Sequence, residues 1–332
     1  MATQAETAEG IRCSQSLCND DNKCVKWGCK RYQPIKKIVM KLSKNLKIFK
    51  NQDGLEFLEI KNSQAEARIA LQGAHVDWWK PNTIKDDVLW LSSNARYEEG
   101  RSIRGGVPIC WPWFGEHPTD NSFCLHGFAR VIPWELIESS DLKNDATKVV
   151  LRMMPTETVK RQLTYNFELI LTIVIGESLN LNLKTTNLSD SPFTISEGFH
   201  TYFYVSDINN VNVTGLENAL FTDKNQNFKK GIENQTISFK SPIDRVYLNS
   251  SNDCYLEDKK LNRIINIKKS NSNSLVIWNP GEAKANEMSD MGENEEWRRM
   301  ICIETANTLE NSVVIYPKLS HNISTEYSVQ EY

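Results

Sequence analysis

The stretch NFELILTIVIGESLNLNLKT, residues 166–185, places an apolar side chain at every second position. Phe167, Leu169, Leu171, Ile173 and Ile175 share one face. After a turn at Gly176-Glu177-Ser178 the pattern resumes with Leu179, Leu181 and Leu183. Period two belongs to a strand with one buried face, and two such runs joined by a tight turn form a hairpin. Around it lie further short β-type runs: EARIALQ, TKVVLRMM, VNVTGL, RVYLN, RIINIKK, SLVIWN, MICIET and SVVIYP. In EARIALQ, Ala67, Ile69 and Leu71 face one way, with Glu66, Arg68 and Gln72 among the polar alternates. Long amphipathic helices are scarce. Many strands without alternating helices predict an all-β, antiparallel, sheet-on-sheet architecture and not a doubly wound one.

The 332 residues suffice for one large core. From about Leu55 to Tyr332 nothing reads as a linker, so one large β domain is expected. A net charge of −3 gives no electrostatic case for nucleic acid or an anionic membrane as partner. The longest apolar run, near Glu168 to Gly176, is too short to span a bilayer, and the polar N-terminus lacks a secretory signal. A soluble cytoplasmic protein is the expectation. Neither a Walker loop nor GxGxxG occurs, so no nucleotide cofactor is expected.

Cys110, Cys124, Cys254 and Cys302 are scattered as buried thiols of a reducing compartment would be. Cys13, Cys18, Cys24 and Cys29 cluster near the N-terminus, but without the tight C-x-x-C pairs of zinc ribbons. No metal is therefore expected. Residues 1–40 read as a poorly ordered extension, with Met40 as an alternative start.

Three segments carry chemistry-bearing residues. SIRGGVPICWPWFGEH, followed by LHGFAR, crowds Arg104, Gly105, Gly106, Trp111, Trp113, His126 and Arg130 into one proline-stiffened stretch. Guanidinium forks match phosphate or carboxylate, paired glycines permit close backbone approach, and tryptophans offer a platform for a sugar ring. Each residue alone has a blander explanation as surface charge, bulge or core; the density favours a binding site. SEGFHTYFYVSDI, if extended, sets Phe199, Thr201, Phe203 and Val205 on one face and His200, Tyr202 and Tyr204 on the other. RRMICIETAN sets Met300, Cys302 and Glu304 on one face, against Ile301 and Ile303. A carboxylate among apolar neighbours is costly unless it is paired or used in catalysis. Glu304 is therefore either a general base raised by burial or half of a salt bridge to Arg298 or Arg299.

The segments IRGGVPICWPWFG, HGFAR, FHTYFYVSDI, DRVYLN, IWNPG and CIETA, in that order, resemble the marker segments of the hexose-6-phosphate mutarotases. These are glucose-6-phosphate 1-epimerase-like members of the aldose 1-epimerase superfamily, of bacterial type. The resemblance implies a galactose-mutarotase-like β-supersandwich over residues 41–332. It also implies interconversion of the α and β anomers of a hexose 6-phosphate, most simply glucose 6-phosphate, without cofactor or metal. It assigns His200 as catalytic acid and Glu304 as catalytic base. It places Arg104, Arg130, Asp223 and His126 at the substrate, Asp223 as a sugar contact and His126 near the ring oxygen. Some relatives carry glutamine just before the HG pair, where this chain has Leu125.

The implied reaction draws the anomeric proton to an ionised Glu304 while a protonated His200 gives its proton to the ring oxygen, opening the ring to the aldehyde. The expected partner is the small-molecule substrate alone, acting on a monomer. An epimerase for unphosphorylated sugars and a catalytically silent sugar-phosphate binder are the competing readings. Arg104 and Arg130 speak against the first, and the acid–base pair speaks against the second.

Overall fold

The hairpin forms as strands Phe167–Ile175 and Ser178–Asn187, closed by a backbone hydrogen bond from Gly176 to Ser178. The computed structural model describes residues 42–154, 156–239 and 242–332. The four N-terminal cysteines, the remainder of the 1–40 extension and a start at Met40 lie outside them. Met40–Tyr332 forms one unit.

The hairpin sits inside a nine-stranded antiparallel sheet. Its strands, in spatial order, are Ile237–Ser238, Val211–Thr214, Cys254–Asp258, Arg263–Ser270, Ser320–Glu331, Ser178–Asn187, Phe167–Ile175, Thr147–Met153 and Trp134–Asp141. A second sheet of eight strands runs Lys229–Ile232, Leu220–Asp223, Ile243–Leu248, Ser274–Asn279, Met300–Asn307, Glu197–Phe199 and Ile109–Cys110, with Tyr202–Tyr204 also pairing onto Met300–Asn307. A four-stranded meander, Leu46–Lys50, Glu56–Lys61, Ala65–Ala70 and His75–Pro81, and the two-stranded pair Phe193–Ile195 with Val313–Ile315 complete the β structure among the described residues. The α-helices described are short, Glu157–Gln162 and Gly281–Glu287. Asparagines supply left-handed turn positions between strands, as at Asn262 and Asn271, because their short polar side chains tolerate positive φ.

One buried cluster joins the sheets. It takes Leu169, Ile173 and Leu181 from the nine-stranded sheet, Leu275, Ile277, Ile301 and Ile303 from the eight-stranded one, and Leu58, Ile69 and Trp79 from the meander. The eight-stranded sheet thus buries one face in the main core. Its other face carries Cys110, Val246, Val276 and Ala306 in one small cluster and Tyr202, Trp278, Met300 and Cys302 in another. Strand parity does this: side chains two apart, and cross-strand partners, share a face.

The antiparallel all-β expectation holds, and each quoted strand run contains a strand. In EARIALQ the strand Ala65–Ala70 ends before Leu71, after a register shift between Arg68 and Ile69. The strand pattern also begins earlier than Leu55, at Leu46–Lys50, whose exposed Ile48 and Phe49 hide the alternation. The segment around His200 is two short strands, Glu197–Phe199 and Tyr202–Tyr204, interrupted at His200 and Thr201. The backbone N–H groups of His200 and Tyr202 donate to the carbonyls of Pro108 and Gly106, so residues 106–108 lie alongside the break. The expected alternation survives it: Phe199, Phe203 and Val205 enter the main core, and the Thr201 hydroxyl bonds that of Tyr327.

The paired glycines serve strand packing. Gly105 bridges Leu91, and a Cβ there would stand 2.5 Å from the Trp90 carbonyl oxygen. At Gly106, where φ is +59°, a Cβ would stand 2.4 Å from the Val76 oxygen and 2.7 Å from His75 Nε2. The bare backbone therefore admits a neighbouring strand and not a ligand, a correction to the sequence expectation. Gly106→Ala is expected to destabilise the fold by about 1–3 kcal/mol, since it combines positive φ with a backbone clash. Urea unfolding of the variant beside the parent measures this.

Candidate active site

Parity on the outer face of the eight-stranded sheet assembles the site. Glu304 pairs with Val276, Cys302 with Trp278 and Tyr202, and Trp278 with Asp244. These residues line up on one side, and His200 joins them at the strand break. Its Nε2 lies 3.4 Å from Glu304 Oε1, and both side chains are buried. The two residues that the family resemblance assigns as acid and base are thus brought into contact. Arg298, offered as a salt-bridge partner for Glu304, pairs instead with Asp207 and Glu295.

The pair faces a cavity of about 200 Å³ whose lining includes Arg104, His126, Arg130, Lys224, Asp244 and Trp278. Helix Gly281–Glu287 brings Lys284, and the residue after it, Met288, to the rim. A second cavity of about 470 Å³ shares Ser102, Arg104, Arg130 and Met288 with the first. The two arginines therefore stand on the boundary of both. A depression of about 400 Å³ over the nine-stranded sheet is less apt for chemistry. Its charged lining groups are tied up, Lys268 to Glu326 and Lys269 to backbone carbonyls.

Arg104 donates from Nη1 to the Tyr202 hydroxyl at 2.8 Å and pairs with Asp290 at 3.1 Å. The Tyr202 ring stacks on His200 with centroids 5.0 Å apart, which ties the guanidinium to the imidazole through one aromatic ring. Arg130 donates to the Leu125 carbonyl, and its Nε is buried without a hydrogen-bond partner. His126, at φ +63°, accepts at Nδ1 from the Gly115 N–H. Its proton then belongs on Nε2, which becomes a donor.

Two sequence expectations need correction. The family resemblance assigns Asp223 to the sugar, but Asp223 pairs in register with Arg245 and therefore lies on the opposite face from Asp244. Its carboxylate accepts from Arg245 Nε at 3.1 Å and from the Asn225 N–H, capping the turn Lys224–Gln226. The aspartate that lines the cavity beside Glu304 is Asp244, whose neighbour across 3.7 Å is Lys224. The tryptophan platform is also misplaced. Trp111 is wholly buried with Nε1 bonded to Thr185, and Trp113 is buried with Nε1 bonded to the Cys124 carbonyl. Phe114 and Trp278 are the aromatic rings that line the cavity. Alternation in PIDRVYLN and SLVIWN carried the signal for Asp244 and Trp278, since each lies two residues from an apolar member of the same face.

Burial dominates the electrostatics. It pushes the His200 imidazole well below its ordinary range, helped by Arg130 and then Arg104. It pushes the Glu304 carboxyl well above its own, against the pull of Lys224, with Asp244 adding to the rise. Both shifts favour the neutral forms of the unliganded pair. These shifts oppose the ionised glutamate and charged histidine expected for the reaction, because in a closed site desolvation outweighs the nearby cations. His200 Nδ1 and Glu304 Oε2 are buried without a hydrogen-bond partner, a cost that hydroxyl groups of a sugar would relieve. His200, Glu304 and Cys302 place possible metal-ligand atoms within 4.8 Å of one another. Burial drives the Cys302 thiol well up and opposes the thiolate a cation needs, so this donor set fits a metal poorly.

The Aldose 1-epimerase family model matches residues 56–328. The chain belongs to the aldose 1-epimerase family. It is 36% identical over 270 residues, 81% of this chain and 89% of the other, to an Escherichia coli (strain K12) protein named "Putative glucose-6-phosphate 1-epimerase". A protein of the same name from Cenchrus ciliaris is 34% identical over 281 residues, covering 81% of this chain and 83% of that one. The crystal structure of a "putative mutarotase (YeaD)" from Salmonella typhimurium superposes with a TM-score of 0.81 at 30% identity, over 89% of this chain and 96% of that chain. The supersandwich expected for this epimerase is the fold observed. No helix among the described residues is long and apolar enough to cross a membrane.

The buried groups of this epimerase give stability a defined pH dependence. His75 is driven to about 3 by burial, and His126 well below 6.5 by burial and Arg130. Below pH 6.5 the unfolded chain protonates both while the fold does not, so stability falls on acidification by about 1.4 kcal/mol per pH unit for each histidine. Unfolding free energies measured between pH 5 and 7 should therefore rise with pH up to about 6.5; a profile flat across that range would contradict the histidine assignments.

Proposed function

We propose that this epimerase interconverts the α and β anomers of a hexose 6-phosphate, most simply glucose 6-phosphate. The observation that carries the proposal is the buried His200–Glu304 contact beside two arginines that border an adjoining cavity. The names of the relatives point the same way.

Both reacting oxygens, O1 and O5, are bonded to C1, so an acid and a base in mutual contact can serve one carbon. Glu304 takes the O1 proton as the C1–O1 double bond forms, the C1–O5 bond breaks, and His200 gives its proton to O5. The aldehyde turns about C1–C2, and closure on the other face reverses both transfers. His126 Nε2–H supplies a neutral donor near the ring oxygen, and Asp244 accepts from a sugar hydroxyl. Phe114 and Trp278 offer apolar surface to the ring. Arg104 and Arg130 hold the phosphate where the two cavities meet, which positions C1 without touching it.

Free thiols at Cys110, Cys124, Cys254 and Cys302 and a charged substrate fit a cytoplasmic setting. Residues 41–332 carry the whole of this machinery.

Glu304→Gln and His200→Asn are each expected to fold and to lose at least about 100-fold in anomerisation; NMR exchange spectroscopy on glucose 6-phosphate reads the rate. Arg104→Ala is expected to lower kcat/KM for glucose 6-phosphate at least tenfold more than for glucose. Equal losses on both sugars would favour the reading in which the enzyme acts on unphosphorylated aldoses.

A further inference from the structure

The charges around the acid–base pair are arranged unequally. On the His200 side stand Arg104, joined to it through the stacked Tyr202, and Arg130, beside the His126 loop; the His126 ring meets His200 edge-on with centroids 5.3 Å apart. On the Glu304 side stand Lys224 and Asp244, 3.7 Å apart, with exposed Lys284 beyond them over the Trp278 ring. Cys302, on the strand of Glu304, keeps its proton through burial. The Lys224 ammonium lies 5.9 Å from the centre of the Phe114 ring. Its turn is fixed by Asp223, which caps it, and by Arg245, which holds Asp223. Asp223 and Arg245 are thus positioning residues for a cation at the cavity.

A phosphate gripped by Arg104 and Arg130 neutralises the two cations that most disfavour an imidazolium at His200, Lys224 acting on it less. It leaves in place Lys224, which acts on Glu304 more strongly than Arg130 does. We propose that the phosphate group of the substrate moves the shared proton from Glu304 to His200 across their 3.4 Å contact, with Lys224 holding the resulting carboxylate, an inference that rests on the hexose 6-phosphate reading above. In the transfer the Glu304 O–H bond breaks and the His200 Nε2–H bond forms; the pair's net charge is unchanged. The neutral resting pair becomes the ion pair that the reaction requires. The phosphate then raises kcat as well as binding, because a sugar without it meets a pair with its proton on the wrong partner. Selectivity for phosphorylated sugars is built into the protonation of the site.

The test uses the full chain labelled with ¹⁵N-histidine, with the His200 resonances assigned by their loss in His200→Asn. At pH 7 the free protein should show a neutral His200 imidazole, saturating glucose 6-phosphate at anomeric equilibrium should convert it to imidazolium, and saturating glucose should not. In Lys224→Met the conversion should be incomplete. The kcat for glucose 6-phosphate should fall about tenfold with KM changed less than about threefold, and Lys224→Arg should restore most of it. An imidazole that stays neutral with glucose 6-phosphate bound and turning over overturns the inference while leaving the function intact. Failure of glucose 6-phosphate to bind or turn over overturns both. A Lys224→Met loss confined to KM would remove Lys224 from the device.

Discussion

A carboxyl group taken wholly out of water beside an imidazole is the constraint on which the site depends. Desolvation pushes Glu304 and His200 toward their neutral forms. Unpaired, either would be expensive to bury; together they can exchange a proton without changing net charge. Their contact requires the Met300–Asn307 strand to present Glu304 outward, and the neighbouring strand to break where His200 turns toward it. The glycine pair at Gly105 and Gly106 brings the adjoining backbone close enough to accept the hydrogen bonds that the break frees.

The sheets were legible because a buried face leaves its mark at every second residue. The hairpin of Phe167–Ile175 and Ser178–Asn187, and the opposed faces of Met300–Asn307, could be read from alternation alone. The pairing of His200 with Glu304 came through family resemblance, since no local pattern encodes a contact across more than a hundred residues. What failed depended on cross-strand register. Asp223 and Asp244 are both aspartates at strand ends, and only the pairing of Asp223 with Arg245 reveals that they face opposite ways. Trp111 and Trp113 sit in a loop-like sequence, where burial leaves no periodic trace, so core tryptophans resembled a sugar platform.

The charged groups divide by how each is held. Arg104 is held by Tyr202 and Asp290, so its guanidinium is oriented before any anion arrives, which reduces the ordering cost of binding. Lys224 owes its place to a capped turn and not to a strand, so its position depends on Asp223 and Arg245, neither of which lines the cavity around Glu304. An aspartate that the family resemblance assigns to the ligand thus retains a connection to the site through the cation beside it.

The order of strands in the eight-stranded sheet has a consequence for how activity arises. The central strand Met300–Asn307 joins Ser274–Asn279 on one side to Glu197–Phe199 and Tyr202–Tyr204 on the other, bringing distant parts of the chain together. No hairpin contains both His200 and Glu304, so under the proposed mechanism no local segment could anomerise a sugar during synthesis. Such long-range closures are slow to form. The appearance of turnover during refolding should therefore report the closing of this sheet, with partly folded chains catalytically silent.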